Sequence, residues 1–261
     1  MHPTNLSTWT PRQPGLGFPG AIVVARLKSC RMSVVEALAR IRARIEAAAV
    51  AAGRDVREID LLAVSKGQPP SAIREAYAAG QRRFGESYAQ ELVRKARELE
   101  DIADLEWHFI GHLQRNKVKE VTPRARVIET VDRIELAREI AKRAEHEIRV
   151  LIEVNVGGEE QKSGCAPGAL FELLRETRGL PNLRVVGLMT IPPAVDDPQD
   201  ARPFFAKLRE LAREARAADL DPGPHLSMGM SHDFEAAIAE GATWVRVGTA
   251  IFGERPKRED G

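Results

Sequence analysis

Short apolar, β-branched runs alternate with amphipathic segments from residue 59 onward. This alternation is typical of parallel strands that are connected by helices. Because the units recur without a long interruption, the pattern favours a single α/β domain of the (β/α)8 TIM-barrel type. An open, doubly wound sheet is the alternative that the pattern leaves open. The apolar runs span residues 59–66, 83–87, 107–112, 127–132, 150–156, 185–191, 225–230 and 244–252.

Helix boundaries can be recognised before and between these runs. Ser33 is followed three residues later by Glu36, which is the pattern of a capping box, and an apolar stripe continues to Gly53. The folded part of the chain is therefore predicted to start near Met32. The same reasoning predicts a capping box at Asp132 and Glu135, a helix between Ser71 and Gly80, and a helix after Pro167.

The segment before Met32 has a different composition. Residues 1–31 are rich in proline and contain one short apolar stretch, which is shorter than the core of a secretion signal. Gly15, Gly17 and Gly20 have the spacing of a dinucleotide-binding loop, but no strand precedes them, so that interpretation fails. We expect a disordered extension at residues 1–31, the barrel at residues 32–254 and a short tail at residues 255–261.

Composition and charge narrow the classes of protein. The chain has 261 residues, of which 43% are hydrophobic, so it can bury a large core. Its 39 Lys and Arg residues balance 38 Asp and Glu residues, which argues against a nucleic acid or a membrane surface as partner. No apolar run has the roughly 20 residues that span a bilayer. Two distant cysteines, Cys30 and Cys165, indicate neither disulfides nor a zinc site, and a cytoplasmic location is expected.

One lysine ends an apolar run at a position where barrels carry their chemistry. Lys66 closes the first run, and the active sites of such barrels lie at the carboxyl ends of the strands. Apolar surroundings disfavour a charged amine and lower its pKa, so Lys66 is a candidate for a Schiff base with an aldehyde. The alternative is a lysine that extends into solvent. Lys162, in a polar loop, is expected to be an ordinary solvated lysine.

Two glycine-containing turns lie at the carboxyl ends of the last two predicted strands. Ser227 and Gly229 belong to the first turn, and Gly248 and Thr249 belong to the second. Barrels of this type often bind phosphate with backbone amides and hydroxyls at these two positions. A phosphate site opposite an aldehyde-reactive lysine suggests pyridoxal 5′-phosphate (PLP) as the cofactor. Each turn alone is equally consistent with ordinary turn chemistry.

Seven ordered motifs carry a family resemblance. They are residues 63–66 (AVSK), 84–91 (FGESYAQE), 107–114 (WHFIGHLQ), 154–156 (VNV), 187–191 (GLMTI), 226–231 (LSMGMS) and 247–253 (VGTAIFG). Through these motifs and their order, the chain resembles the pyridoxal phosphate homeostasis proteins over about residues 33–254. The resemblance implies a single barrel of PLP fold type III, akin to that of alanine racemase but without its C-terminal β domain. It also implies that Lys66 holds the cofactor and that the protein carries or regulates vitamin B6 without established turnover.

Three further residues are interpreted through this resemblance. Ser87 stands where the family usually has asparagine after Phe-Gly-Glu, so it keeps a hydroxyl and loses the amide donors. Asn155, near the end of the fifth apolar run, is another candidate contact with the cofactor. The resemblance places Arg246 against the pyridine nitrogen, where a permanent positive charge keeps that nitrogen unprotonated and weakens the cofactor as an electron sink. The alternative for Arg246 is an ion pair with a surface carboxylate.

Two classes of function stay open. In the first, a non-catalytic carrier holds PLP, buffers its intracellular level and delivers it to PLP-dependent apo-enzymes. In the second, the same site racemises or decarboxylates an amino acid, and racemisation needs a second acid or base on the opposite face of the cofactor. In alanine racemase that group comes from an added β domain and a partner subunit, and this chain ends shortly after its last apolar run, so the carrier is expected. We expect a monomer rather than an obligate oligomer.

The histidines do not predict a metal site. His108 and His112 lie four residues apart on a predicted strand, and this separates their backbones by about 13 Å, too far to share one ion. His225 and His232 flank the glycine-rich turn after the seventh run. We expect His232 to lie near a helix start and not to act as a ligand.

Overall fold

The computed structural model describes residues 32–254. Its strands are β1 (Asp60–Val64), β2 (Arg83–Glu86), β3 (Glu106–Phe109), β4 (Val127–Val131), β5 (Ile148–Glu153), β6 (Leu183–Met189), β7 (His225–Ser227) and β8 (Trp244–Val247). All are parallel, and they follow one another in chain order around a closed barrel. β8 pairs with β1, with Arg246 opposite Leu62, so the open-sheet alternative is wrong. The predictions for residues 1–31 and 255–261 lie outside the described residues.

Helices surround the barrel on its outer side. Within residues 32–254 they are α1 (Val34–Ala51), α2 (Pro70–Ala78), α3 (Ala89–Glu98), α4 (Val118–Val121), α5 (Ile134–Arg143), α6 (Leu170–Thr177), α7 (Arg202–Ala217), α8 (Phe234–Ala239) and α9 (Thr249–Phe252). The helices α2 to α8 each connect two successive strands. α1 precedes β1 and packs against α2, α8 and α9, so it completes the ring beside the short last helix. None of these described helices is both long and apolar enough to cross a membrane.

The start of α1 follows the predicted capping box. The Ser33 hydroxyl accepts a hydrogen bond from the Glu36 amide at 3.2 Å, and the Glu36 carboxylate accepts one from the Ser33 amide at 2.9 Å. Two of the amides that a helix start leaves without a partner are thus satisfied. Past the end of α1, Gly53 adopts a φ of 66°, a conformation that glycine reaches without strain. The predicted capping box of Ser33 and Glu36 and the end of the helix near Gly53 are confirmed.

Other predicted boundaries are wrong in detail. Asp132 does not cap α5, because its carboxylate pairs with the Arg133 guanidinium at 2.5 Å and the helix has no side-chain cap. Ser71 lies inside α2, which starts one residue earlier at Pro70, where a missing amide is no loss. The last apolar run is a strand only over Trp244–Val247, and Thr249–Phe252 is helical.

Side chains fill the barrel, so it is not a pore. An apolar cluster inside it consists of Val127, Leu151, Val186, Met189 and Trp244. The larger core lies between the strands and the surrounding helices. Successive residues alternate between these two regions, as Trp244 and Val245 do on β8. Polar residues of the same inward faces lie above and below the inner cluster, and they form the site described next.

Candidate functional site

Lys66 lies just beyond β1, at the carboxyl edge of the barrel, and is partly exposed. The backbone before it is still bonded to β2, because the Ser65 amide donates to the Gly85 carbonyl at 3.0 Å. On the other side, β8 ends close by: a Cβ atom on Gly248 would lie 3.1 Å from the Val64 carbonyl oxygen. The turn that carries Lys66 is therefore adjacent to the loop that follows β8.

The two glycine-rich turns meet at the same edge of the barrel. The Ser231 hydroxyl oxygen lies 3.4 Å from the Gly248 amide nitrogen and 3.4 Å from the Thr249 hydroxyl oxygen. Ser231 thus connects the turn after β7 with the turn after β8. Ser231 was not among the predicted phosphate contacts, although it lies in the same glycine-rich run as Ser227 and Gly229.

The conformation of Gly229 explains why the first turn contains a glycine. Its φ is 89°, and a Cβ atom there would lie 2.6 Å from the Ala237 Cβ and 2.9 Å from the Phe234 Cα. Its carbonyl accepts a hydrogen bond from the Arg246 amide at 3.0 Å. Gly229 therefore lets the turn pack closely on α8 and against β8. Its contact with a phosphate stays a prediction.

Arg246 and Ser227 point into the barrel and are bonded to each other. Arg246 is only 4% exposed, and it donates to the Ser227 hydroxyl at 2.7 Å and to the Thr190 carbonyl at 2.9 Å. The surface ion pair that was the alternative for Arg246 is therefore wrong. The Ser227 hydroxyl in turn donates to Glu129 Oε2 at 2.5 Å. These bonds engage the hydroxyl inside the barrel, which argues against the predicted contact of this hydroxyl with a phosphate.

Glu129 continues the contacts of Arg246 toward the opposite end of the barrel. Its Oε1 lies 2.6 Å from His108 Nδ1, and His108 Nε2 lies 3.0 Å from Glu106 Oε1. Both ring nitrogens of His108 thus face carboxylates, which fits a doubly protonated ring. We call these five residues, from Glu106 through His108, Glu129 and Ser227 to Arg246, the buried polar chain.

The pKa values along the buried polar chain follow from burial and pairing. Burial alone lowers the pKa of His108, but the bonds to Glu106 and Glu129 outweigh it and raise this pKa above its ordinary value. Burial works against the ionised form of Glu129 as well, and the bond to His108 outweighs it, so this pKa is lowered. Burial also lowers the pKa of Arg246, opposed by the Glu129 carboxylate. One sequence signal pointed to the buried polar chain: Glu129 is a glutamate inside the apolar run of β4.

A buried carboxyl group faces this region from β5. Glu153 lies two residues after Leu151, so it shares the inward face of its strand. It is 5% exposed, and its Oε2 atom has no hydrogen-bond partner among the described residues. Burial raises the pKa of Glu153 to about 7, helped by Asp132 and opposed by Arg246. This carboxyl therefore changes charge near neutral pH.

Asn155 and Ser87, two of the predicted cofactor contacts, lie at the carboxyl edge of the barrel and have other contacts there. The Asn155 side chain donates to the Glu159 carbonyl at 2.8 Å and accepts from the Gly158 amide at 3.0 Å, so it orders the loop after β5. Ser87 lines a cavity of about 410 Å³ together with His112. The assignments of Asn155 and Ser87 as cofactor contacts stay predictions.

The remaining candidates are engaged in other ways. Lys162 is not an ordinary solvated lysine, because its amine lies 2.5 Å from Glu159 Oε2 and donates to the Pro192 carbonyl at 2.9 Å. His225 stacks on Trp244 with ring centroids 4.3 Å apart. Within residues 32–254, no group of three or more His, Cys, Asp or Glu side chains is arranged to hold a metal ion.

Comparison with known proteins agrees with this architecture. Residues 37–256 match the family model described as "Alanine racemase, N-terminal domain". Together with the fold and the site, this match places the protein in the alanine racemase barrel class. The structure of PipY of Synechococcus elongatus PCC7942 with PLP bound is similar at a TM-score of 0.75 and 36% identity, over 85% of this chain and 100% of that chain.

Two curated relatives narrow the assignment. The pyridoxal phosphate homeostasis protein of Aquifex aeolicus (strain VF5) is 52% identical over 227 residues, which are 86% of this chain and 99% of that protein. The protein of the same name from Escherichia coli (strain K12) is 45% identical over 229 residues, 84% of this chain and 95% of that protein. The chain belongs to the family of pyridoxal phosphate homeostasis proteins, and the resemblance seen in its motifs is confirmed.

Proposed function

We propose that this protein binds PLP covalently and reversibly through Lys66 and takes part in the homeostasis of intracellular PLP. One observation carries the proposal: the Lys66 turn lies beside the two loops that Ser231 joins, in a chain of this family. When bound, PLP supplies an aldehyde carbon that forms a carbon–nitrogen double bond with a lysine amine, with loss of water.

The residues at the carboxyl edge fit the phosphate of PLP. The Gly248 amide and the hydroxyls of Ser231 and Thr249 lie together and offer donors to an anion. Charge-assisted hydrogen bonds of this kind are stronger than those between neutral groups. Ser231 and Thr249 therefore retain the phosphate, while Lys66 holds the aldehyde end.

Arg246 fits the ring nitrogen of PLP. Its guanidinium is fixed by Ser227 and by the Thr190 carbonyl, so the orientation of its plane is set before a ligand arrives. An arginine stays charged at physiological pH even when buried. In the proposed site it donates to the pyridine nitrogen and keeps this nitrogen unprotonated. That arrangement limits the cofactor's ability to accept electrons and favours holding over turnover.

The protein acts in this proposal as a non-catalytic carrier that delivers PLP to apo-enzymes. The names of the curated relatives, which refer to homeostasis and not to a reaction, support it. An amino-acid racemase or decarboxylase is the second candidate. Glu153 favours it, since a buried carboxyl with a pKa of about 7 near Arg246 is suited to proton transfer.

An absorption titration with PLP tests the proposal. Addition of PLP to the protein should produce a visible absorption band, and the Lys66→Ala variant should lack it. Lys117→Ala is the matched control, because Lys117 also lies at the carboxyl edge, is partly exposed and pairs with Glu120 at 2.9 Å. Loss of the band in both variants, or in neither, would contradict the assignment of Lys66.

A chiral assay with amino acids separates the carrier from the enzyme. The PLP-loaded protein should leave a panel of amino acids unchanged, so that neither racemisation nor decarboxylation is detected. Turnover at about 1 per second or faster is typical of enzymes and would establish the second candidate. Glu153→Gln is then the variant to examine, because it removes the titrating carboxyl and preserves its size.

A further inference from the structure

A wholly buried lysine lies beneath the turn that carries Lys66. Lys95, on α3, is 0% exposed. Its amine donates to the Ser65 carbonyl at 2.6 Å and to Glu86 Oε1 at 2.7 Å, and it lies 2.7 Å from Glu91 Oε1. All three protons of the ammonium group therefore have an acceptor.

The same cluster is bonded to both chain neighbours of Lys66. On the N-terminal side, the Ser65 hydroxyl donates to Glu86 Oε1 at 2.6 Å, in addition to the bond from Lys95 to the Ser65 carbonyl. On the C-terminal side, the Gly67 amide donates to Glu91 Oε1 at 2.7 Å. The residues that flank Lys66 are thus held by one network of charges.

Packing a helix on a sheet through buried charges costs free energy of desolvation. Burying an ammonium group and a carboxylate costs free energy that pairing recovers only with good geometry, and apolar side chains of similar size often serve as well. Burial raises the pKa of Glu86, against the opposing effect of Lys95, and Glu86 Oε2 has no partner among the described residues. The cost suggests a role beyond packing.

We propose that Lys95, Glu86 and Glu91 form a positioning cluster that fixes the Lys66 turn for reaction with the aldehyde. This inference rests on the proposed function of Lys66. A covalent bond forms fast only when the reacting atoms are held close to the right geometry, so freedom in the turn costs rate. The cluster removes that freedom from the backbone on each side of Lys66. Among the described residues, the side chains of this cluster form no hydrogen bond or ion pair with the turns after β7 and β8.

Glu91→Ala is the variant that tests the cluster with least risk to folding. The Glu91 side chain is 16% exposed, and the Gly67 amide that it would release is at an exposed residue, where water can replace the lost acceptor. Lys95 keeps its bonds to Ser65 and Glu86. Glu139→Ala is the matched control, since Glu139 is also 16% exposed and also pairs with a basic residue four positions later.

Two ligands distinguish a positioning role from a general structural one. PLP and pyridoxine 5′-phosphate share the ring and the phosphate, but only PLP has the aldehyde. We expect Glu91→Ala to slow the trapping of PLP on Lys66 by borohydride about tenfold and to leave the affinity for pyridoxine 5′-phosphate within about twofold. The conservative variant Glu91→Gln, which keeps an acceptor oxygen for Gly67, should recover most of the rate.

Amide hydrogen exchange supplies a readout that needs no cofactor. In the unloaded protein, Glu91→Ala should accelerate exchange at the Gly67 amide about tenfold, and Glu139→Ala should not change it. Equal trapping rates in Glu91→Ala and Glu139→Ala would overturn the inference, as would a parallel loss of pyridoxine 5′-phosphate binding. If the unsubstituted protein does not trap PLP on Lys66 at all, the proposed function itself fails.

Discussion

The charge of Glu153 makes the stability of the fold depend on pH near neutrality. Its pKa is raised from 4.5 to about 7 in the folded protein, so the folded state holds this proton more tightly than the unfolded state. The resulting stabilisation is fully present below pH 4.5 and is lost as the pH rises through about 7. At pH 8 the ionised, buried carboxylate therefore destabilises the fold.

We expect Glu153→Gln to stabilise the protein at pH 8, by up to about 3 kcal/mol, and to have little effect at pH 4.5. Urea denaturation at the two pH values measures the difference. Glu139→Gln serves as the control, because the hydrogen bond from Arg143 lowers the pKa of Glu139 and predicts the opposite sign. A stabilisation by Glu153→Gln that is the same at both pH values would show that ionisation is not its cause.

The two serines of the first glycine-rich turn should have separable roles. Ser231→Ala removes a hydroxyl next to Gly248 and Thr249, so it should weaken pyridoxine 5′-phosphate binding by about 1.5 to 3 kcal/mol. Ser227→Ala leaves Glu129 and Arg246 without their shared partner, so it should cost about 1 to 3 kcal/mol of folding free energy. Equilibrium binding and urea denaturation of both variants measure the two effects, and the reverse assignment would restore the role predicted for Ser227.

These residues also show what a sequence can reveal about a site. Lys66 could be recognised because it ends an apolar run, and Gly248 because it lies in the glycine-containing segment after the last predicted strand; the fold places the ends of all strands at one edge. The contact between Ser227 and Glu129 could not, since the residues are 98 positions apart and depend on barrel closure. Lys95 was equally hidden, because a lysine on an amphipathic helix normally faces solvent.

Among the secondary-structure elements, the turn between β7 and α8 depends on one glycine. Gly229 has a positive φ, and any side chain there would meet α8. Gly229→Ala should therefore destabilise the fold by about 3 kcal/mol, from backbone strain and overpacking together. Urea denaturation measures the loss, and Gly168→Ala is the control, because nothing lies within 4 Å of the Cβ that it adds. Equal stability of the two variants would contradict the packing argument.

Element boundaries were predicted less well than the elements themselves. Hydrophobic patterning located all eight strands, because each must fill its place between the barrel interior and the helices. The run 244–252 was counted as one apolar run with its strand ending at Gly248 and Thr249, whereas β8 ends at Val247 and the chain turns at Gly248 into α9. β-branched and aromatic residues occur on both sides of that turn, so composition alone gave no boundary.

At the scale of the whole barrel, α1 completes the outer ring of helices, because the last helix, α9, has only four residues. Arg44 pairs with Glu235 on α8 at 2.5 Å and lies over the Phe234 ring. Arg54, just after α1, donates to the carbonyls of Ile238 and Ala242 at 3.0 and 2.7 Å. The buried face of α1 adds Leu38 and Ile41 to the core. The barrel is therefore incomplete without this helix.

Two shortened chains test the limits of the folded unit. The sequence predicts that residues 1–31 are dispensable, because they lack an amphipathic pattern and the first capped helix starts after them. A chain that begins at Met32 should keep the melting temperature of the full chain, whereas one that begins at Gly53 should not fold. Thermal denaturation followed by circular dichroism measures both. A loss of several degrees in the longer of the two would show that residues 1–31 contribute to stability.

Identification of the modified residue tests whether Lys66 holds PLP. The protein is loaded with PLP, reduced with borohydride and digested, and the peptide that carries the reduced adduct is located by mass spectrometry. We predict one adduct, on Lys66, whose turn lies beside the loops of Ser231 and Gly248. An adduct on Lys95, Lys117 or Lys162 in place of Lys66, or no adduct at saturating PLP, would contradict the proposed site.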